Sequence, residues 1–192
     1  IKVRFFFFLL LTISLNAQLS KIHYIPPIAS SSGALPNQGQ YLYISTPSIT
    51  DVDVLITPVG GTSQVVSVSN SNPYEYQIQG LNGLGTSQIT LIGNNSNQTA
   101  YVRDDRGYII ESGGSEIYVA LRVMNSVHAG ALVSKGDSAL GTQFKIGGFT
   151  NYNSDSTMST FLSVMASEDA TQLIINNISI KTLVIFILII KQ

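Results

Sequence analysis

The chain has 192 residues, of which 44% are hydrophobic and only 11% charged, and its formal net charge is −1. A nucleic-acid or phosphate-binding surface needs clustered Lys and Arg, so this balance argues against one. The lack of Cys excludes a disulfide scaffold, a Cys-based zinc site and a thiol nucleophile. High apolar content with low net charge argues against disorder, and the length suits one domain with a substantial core.

The first segment has the pattern of a secretory signal peptide. Lys2 and Arg4 precede an apolar run over residues 5–13, which is too short to span a bilayer. We expect cleavage between Ala17 and Gln18; the alternative is a buried N-terminal strand. Removal of the leader leaves eight basic and 11 acidic residues, a net charge of −3. This acidic balance does not suggest nucleic acid or an anionic membrane as partner.

Short strands follow one another between the two ends of the chain. Residues 51–56, 74–79, 117–124 and 142–146 alternate in the two-residue period of a strand. Residues 117–124 are apolar on both faces, which predicts a central strand. Shorter candidate strands lie at residues 40–45, 64–69, 87–92, 108–111, 129–133 and 161–166. Since strands recur about every 8–12 residues without sustained helical periodicity, we predict an all-β fold, an antiparallel β-sandwich of about 8–12 short strands.

Glycine and asparagine clusters separate these strands. Residues 105–107 and 112–115 predict hairpin turns, because Gly supplies the positive φ that such turns need. Residues 29–39 predict a flexible loop that leads into the domain. Further loops are predicted at residues 58–61, 70–73 and 93–97.

The C-terminal segment is rich in Ile and Leu. Its uninterrupted apolar run, residues 183–190, is eight residues long, whereas a spanning helix needs roughly 17–25. Three interpretations are open: a final buried strand pair, a poor membrane anchor, or out-of-frame translation of a longer gene, of which we favour the third. The chain is accordingly divided into a signal peptide (1–17), a β-sandwich domain (18–171), truncated if the third interpretation holds, and a hydrophobic tail (172–192).

The histidines and their neighbours do not predict catalysis. His128 lies near Ser134 and Asp137, but triads assemble across a fold, so this spacing carries no information. No Gly-x-Ser-x-Gly elbow surrounds a serine. We interpret His23 as a packing or hydrogen-bonding residue. The sequence therefore predicts no enzyme and no catalytic residue.

Two loops match ligand-binding motifs only in part. Residues 135–142 lack the order of a phosphate-binding loop and predict a β-turn in which Gly136 supplies backbone freedom. Residues 151–155 place oxygen atoms at alternate positions, as a calcium loop does, but Ser156 stands where Gly is required and Leu162 where Glu is required. We predict no metal site and no cofactor. Paired carboxylates that could assist calcium binding are Asp51 and Asp53, Asp104 and Asp105, and Glu168 and Asp169.

The neutral polar residues and a family resemblance together suggest a binding role. Ser, Thr, Asn and Gln dominate the polar residues, which suits hydrogen bonds to glycans or extracellular proteins. The resemblance is carried by residues 23–27, 41–47, 58–61, 70–74, 107–111, 130–136, 139–144 and 161–168. These segments resemble the N-terminal IgG-Fc-binding-protein-like domain of secreted Bacteroidetes surface proteins, which commonly end in a type IX secretion, gliding-motility-type sorting domain. The match runs from about residue 21 to about residue 171, and residues 132–144 are its most specific part.

The resemblance implies an extracellular, surface-displayed and non-enzymatic module of adhesion type. It implies an unidentified protein or glycan ligand, without establishing IgG binding, and it carries over no ligand residue. It also implies a secreted or cell-surface location, or a periplasmic one where the sorting domain is missing. A structural spacer and a non-functional fragment of a larger secreted protein remain the alternatives.

Overall fold

The computed structural model describes residues 18–30, 38–78, 90–92, 102–125, 128–146, 160–176 and 183–189. In these ranges the backbone forms thirteen strands and one short 3-10 helix, Gly136–Ala139, and no α-helix. The strands, in chain order, are β1 (Ile22–Ile25), β2 (Ile28–Ser30), β3 (Gln38–Ser45), β4 (Val52–Pro58), β5 (Gln64–Val68), β6 (Tyr74–Gln77), β7 (Thr90–Ile92), β8 (Val102–Arg103), β9 (Tyr108–Ser112), β10 (Tyr118–Asn125), β11 (His128–Val133), β12 (Thr160–Ala166) and β13 (Leu183–Ile189). The predicted all-β class is confirmed.

Two antiparallel sheets of four strands each make up the body of the fold. The first sheet has the strand order β1-β9-β4-β5, and the second has the order β11-β10-β3-β6. Strand β10, predicted as central, does lie between β11 and β3. Apolar side chains from both sheets form one shared core. This arrangement is the antiparallel β-sandwich that the sequence predicts.

Alternation along each strand decides which side chains enter the core. In β4, Val52, Val54 and Ile56 are buried whereas Asp53 is exposed, because successive side chains of a strand point to opposite faces. On the second sheet, Leu42 of β3 is buried in the same core. Burying each such branched side chain contributes roughly 1.5–3 kcal/mol.

An aromatic contact joins the two sheets. Tyr108 of β9 is fully buried and meets Tyr76 of β6 edge-on, with ring centroids 5.7 Å apart and ring planes at 70°. This geometry places the positive edge of one ring near the negative face of the other. Burial, together with the neighbouring Tyr76, raises the pKa of the Tyr108 phenol. The Tyr108 phenol is therefore neutral across the physiological pH range.

Two turns predicted as hairpins join strands of different sheets, so those predictions are wrong. Residues 112–115 connect β9 of the first sheet to β10 of the second, and residues 105–107 connect β8 to β9. Gly107 adopts a φ of 99°, but Gly113 and Gly114 do not have positive φ. A glycine permits a tight turn, but it does not determine whether the strands on either side of the turn pair with each other.

A hairpin joins β4 to β5 at a predicted turn. Gly60 has a φ of 73°, and the Gly61 amide donates to the Pro58 carbonyl at 2.9 Å. Another predicted loop, residues 70–73, is also confirmed, because Ser69 and Asn72 pair across it as an isolated bridge. The predicted loop at residues 93–97 lies outside the described residues.

Other predictions differ from the structure locally. Residues 142–146 form no strand, and all of them are exposed, because no strand in the described ranges pairs with them. Of the loop predicted at residues 29–39, the first two residues lie in β2 and the last two in β3, where the backbone pairs with β7 and β10. Residues 31–37 lie outside the described ranges. The predicted strand at residues 87–92 is present as β7, and residues 87–89 lie outside the described ranges.

Two smaller sheets contain parallel strands. Strand β2 pairs with β7, and β13 lies between β12 and β8. The apolar C-terminal run thus forms a strand alongside β12. Within the described ranges, no helix has both the length and the apolar character needed to cross a bilayer. The out-of-frame origin of the tail stays a prediction.

Candidate functional site

The structure does not bring together the Ser/His/Asp set that the sequence allows. His128 begins β11 and Ser134 follows its last residue, so six extended steps separate them by about 20 Å. The Ser134 hydroxyl accepts from the Gly136 amide at 3.3 Å. Asp137 accepts instead from Ser20, at the start of the described chain. No nucleophile–base–acid relay is therefore formed by these three residues.

Ser20 joins the segment before β1 to the turn after β11. Its hydroxyl donates to Asp137 Oδ2 at 2.9 Å and accepts from the backbone amides of Asp137 and Ile22 at 3.2 and 3.3 Å. Its backbone pairs in both directions with Ile117, at 3.1 and 2.9 Å. We call Ser20, His23, Gly136 and Asp137 the N-terminal lock. A hydroxyl oxygen that donates once and accepts twice has its hydrogen-bonding capacity filled.

Gly136 allows the close approach on which the N-terminal lock depends. It is buried, has a φ of 53°, and a Cβ placed there would collide with the side chain of Ser20 and lie 3.0 Å from the Ile22 carbonyl oxygen. Any other residue would suffer both the left-handed backbone conformation and this collision. The prediction that Gly136 supplies backbone freedom is confirmed, although the turn is a 3-10 helix and not an isolated β-turn.

His23 forms the buried side of the N-terminal lock. Its side chain is fully buried, and Nε2 lies 2.9 Å from the Ile117 carbonyl oxygen, so Nε2 carries the proton. Nδ1 is buried without a hydrogen-bond partner among the described residues. Burial lowers the pKa of His23, against smaller opposing effects of backbone hydrogen bonds and Asp137. The interpretation of His23 as a packing and hydrogen-bonding residue is confirmed.

The N-terminal lock has the residue types of a hydrolase triad but a different arrangement. The Ser20 hydroxyl donates to a carboxylate, and the His23 N–H is directed to a main-chain carbonyl. A triad instead requires the hydroxyl to donate to the imidazole and the imidazole to donate to the carboxylate. The arrangement fastens β1 to the rest of the sandwich and offers no activated nucleophile.

The predicted carboxylate pairs do not assemble further. Among the described residues, no three His, Asp or Glu side chains come together as a metal site requires. Asp51 and Asp53 are both exposed at the start of β4, and Glu168 and Asp169 are exposed after β12. Residues 151–155, the partial calcium motif, lie outside the described ranges.

The outer face of the second sheet carries an aromatic and polar surface. Cross-strand pairing places Tyr41 of β3 between Gln77 of β6 and Arg122 of β10. Two residues further along β3, Tyr43 pairs with Glu75 of β6. We call these five residues the tyrosine face. Glu75, Gln77, Arg122 and Tyr43 are all exposed, whereas Tyr41 is half-buried.

The two rings of the tyrosine face are held in defined positions. Their centroids are 6.1 Å apart with planes at 49°. The Arg122 guanidinium carbon lies 5.4 Å from the Tyr43 ring centroid, a cation–π contact worth about 0.5–1 kcal/mol at an exposed site. The Tyr41 ring lies over Gly39, where any side chain would collide with it.

Charge on the tyrosine face is balanced between Arg122 and Glu75. The Glu75 carboxylate, as hydrogen-bond acceptor and as a nearby negative charge, raises the pKa of Tyr43, and Arg122 opposes this effect. The Tyr43 hydroxyl is therefore a neutral hydrogen-bond donor across the physiological range. The surface offers donors, acceptors and apolar rings without a net charge.

Sequence reasoning singled out His23, Gly136 and Asp137 of the N-terminal lock but missed Ser20, and it singled out no member of the tyrosine face. Gly136 and Asp137 were accessible from their turn pattern, but Ser20 lies 117 positions away from Asp137, and no local signal connects them. The two-residue spacing of Tyr41 and Tyr43 on the strand predicted at residues 40–45 places both on one face of it, but that this face points outward depends on the packing of the two sheets. Their partners Glu75 and Arg122 depend on strand order and register, which the sequence does not give.

The predicted cleavage site and the family resemblance were compared with the described residues and with known proteins. Gln18 is exposed at the start of the described chain, and Ala17 lies outside the described residues. No family model matches the chain, nor does any curated protein or solved structure. The resemblance to IgG-Fc-binding-like domains therefore stays a prediction.

Proposed function

We propose that this chain is an exported, extracellular or cell-surface binding module of adhesion type and that the tyrosine face is its contact surface. The observation that carries the proposal is the exposed pair Tyr43 and Arg122, stacked on the outer face of a rigid sheet. Tyrosine and arginine are the residue types that dominate binding energy at interfaces. Side chains fixed on strands also lose little conformational entropy when a ligand binds.

Export is supported by the leader pattern and not by the sandwich itself. Lys2 and Arg4 followed by an apolar run suit a secretory signal. We expect the N-terminus of the protein recovered from a Gram-negative host's periplasm or medium to be Gln18. Recovery from the cytosol with residues 1–17 intact would contradict export.

The binding role is tested with an array of glycans and extracellular-matrix proteins, probed with the purified chain. We expect saturable capture by at least one ligand, and a loss of about tenfold in affinity for Tyr43→Ala. Tyr24→Ala is the matched control, because Tyr24 is a half-buried tyrosine on β1 of the opposite sheet. Both variants must show the wild-type circular-dichroism spectrum and unfold cooperatively.

Silence of the folded protein on the whole array would contradict the binding role and favour the structural spacer. Capture that is unaffected by Tyr43→Ala but lost in Tyr24→Ala would place the contact surface elsewhere. Either result would leave the sandwich fold intact.

A further inference from the structure

The tyrosine face has the dimensions and chemistry of a small, shallow binding site. Its residues occupy two adjacent cross-strand rows on three neighbouring strands, so the site spans roughly 10 Å across the strands. Beyond Arg122 the same row continues with Ala131 of β11, and beyond Ala120 the next row continues with Val133. Of these neighbours, Ala131 is exposed, Val133 is half-buried and Ala120 is buried, so the two rows continue toward β11 with uncharged side chains.

Each ring is supported by the protein and presents its remaining surface outward. The backbone at Gly39 lies under Tyr41, and Arg122 packs against Tyr43. Supported aromatic rings favour ligands with a flat apolar surface, since stacking then costs little ordering. The two ring centroids are 6.1 Å apart and their planes are inclined at 49°, so the rings present two neighbouring apolar surfaces of different orientation.

The polar members of the face suit hydroxyl groups. A hydroxyl both donates and accepts, and it can be bound by a carboxylate, an amide or a guanidinium. Glu75, Gln77 and Arg122 provide one group of each kind, directly across from or beside the two rings. A sugar ring combines such hydroxyls with an apolar C–H surface.

Charge selects against other ligand classes. Glu75 would repel a phosphate or sulfate group that Arg122 attracts, and no second cation accompanies Arg122 in these rows. Anion recognition commonly employs several basic groups together. A standard protein–protein interface buries about 800 Å² on each partner and so would have to extend well beyond these five residues.

We propose that the tyrosine face binds a neutral oligosaccharide, with sugar rings stacked on Tyr41 and Tyr43 and hydroxyls bonded to Glu75, Gln77 and Arg122. This assignment rests on the binding function proposed above and names the ligand class.

The experiment titrates the purified chain with defined neutral oligosaccharides based on glucose, xylose, mannose and N-acetylglucosamine, to about 1 mM. A sulfated heparin oligosaccharide and the matrix proteins serve as competing classes. Binding is followed by calorimetry and by NMR chemical shifts. We expect at least one neutral oligosaccharide to bind, with little dependence on salt, because no ion pair with the ligand is formed.

Variants separate stacking from hydrogen bonding. Tyr43→Ala is expected to weaken the affinity by about tenfold, whereas Tyr43→Phe, which keeps the ring, is expected to retain most of it. Glu75→Gln, which keeps an acceptor oxygen, is expected to weaken binding less than Glu75→Ala. Tyr24→Ala is expected to leave the affinity unchanged.

Failure of the ligand class can be told from failure of the binding function. Capture of a matrix protein but of no sugar, lost in Tyr43→Ala, would overturn the saccharide assignment and leave the binding function standing. Salt-sensitive binding of the sulfated oligosaccharide alone would also overturn the assignment. Capture of nothing by the folded protein would contradict both proposals.

Discussion

The buried imidazole of His23 makes the stability of the sandwich sensitive to acid. Burial lowers its pKa below the ordinary value of 6.5, so the unfolded chain binds more protons than the folded chain once the pH drops past that value. The stabilising contribution is complete above about pH 6.5 and is lost as the pH falls through the lowered pKa. The slope cannot exceed about 1.4 kcal/mol per pH unit for one group.

Urea unfolding from about pH 8 to about pH 5 measures this loss. His23→Gln retains an N–H donor for the Ile117 carbonyl but does not titrate, so we expect a flatter dependence of the free energy of unfolding on pH. His128→Gln removes the other histidine, on β11, and is the matched control for the loss of an imidazole as such. Equal slopes for wild type and His23→Gln would show that His23 does not carry the effect.

At the scale of elements, the N-terminal lock fastens the segment before β1 to the turn after β11. Gly136→Ala places a Cβ against Ser20 at a backbone φ of 53°. We expect it to lower the free energy of unfolding by at least about 2 kcal/mol, because left-handed backbone and overpacking add.

Gly113→Ala is the matched control for that substitution. A Cβ at Gly113 would meet only the Asp53 carbonyl oxygen, at 3.6 Å, so its effect is expected to stay within about 0.5 kcal/mol. Urea denaturation compares both variants with wild type. A Gly136→Ala protein as stable as the Gly113→Ala protein would show that the turn yields to a side chain without loss.

The strands show how far an alternating pattern can be used to predict structure. Alternation at residues 51–56 and 74–79 correctly predicts β4 and β6, because one face of each is buried by the opposite sheet. The same pattern at residues 142–146 predicts a strand that is not formed. An alternating pattern indicates which face of a strand would be buried. It does not indicate whether another strand is available to pair with that segment.

Strand β1 shows the opposite failure. Its sequence, Ile-His-Tyr-Ile, gives a weak pattern followed by two prolines, and the sequence does not predict it as a strand. The structure buries His23 and Ile25 on one face, and the imidazole N–H of His23 donates to the carbonyl of Ile117, the residue just before β10. A buried polar side chain is compatible with a core only when it has a hydrogen-bond partner. The partner of His23 lies 94 positions away along the chain, so the sequence around His23 does not reveal it.

For the molecule as a whole, the two edges of the second sheet, β6 and β11 among the described strands, differ in their protection against further strand pairing. Strand β6 carries the exposed Glu75, whereas β11 has no Lys, Arg, Asp, Glu or Pro. Leu132 of β11 is 43% exposed, and Phe144 nearby in sequence is 59% exposed. Uncharged, uninterrupted edges are the ones to which other strands add. We therefore expect β11 to be a site of concentration-dependent self-association.

Ala129→Lys tests this expectation by placing a charge on the exposed edge strand. We expect it to weaken self-association by about 1 kcal/mol, a roughly fivefold rise in Kd, because an added strand must then approach a lysine. Ser67→Lys, at an exposed position on β5, adds the same charge to the edge of the other sheet and is the matched control. Sedimentation velocity over a range of concentrations measures the effect. If both substitutions reduce association equally, net charge is the cause, and if neither does, the copies meet through a different surface.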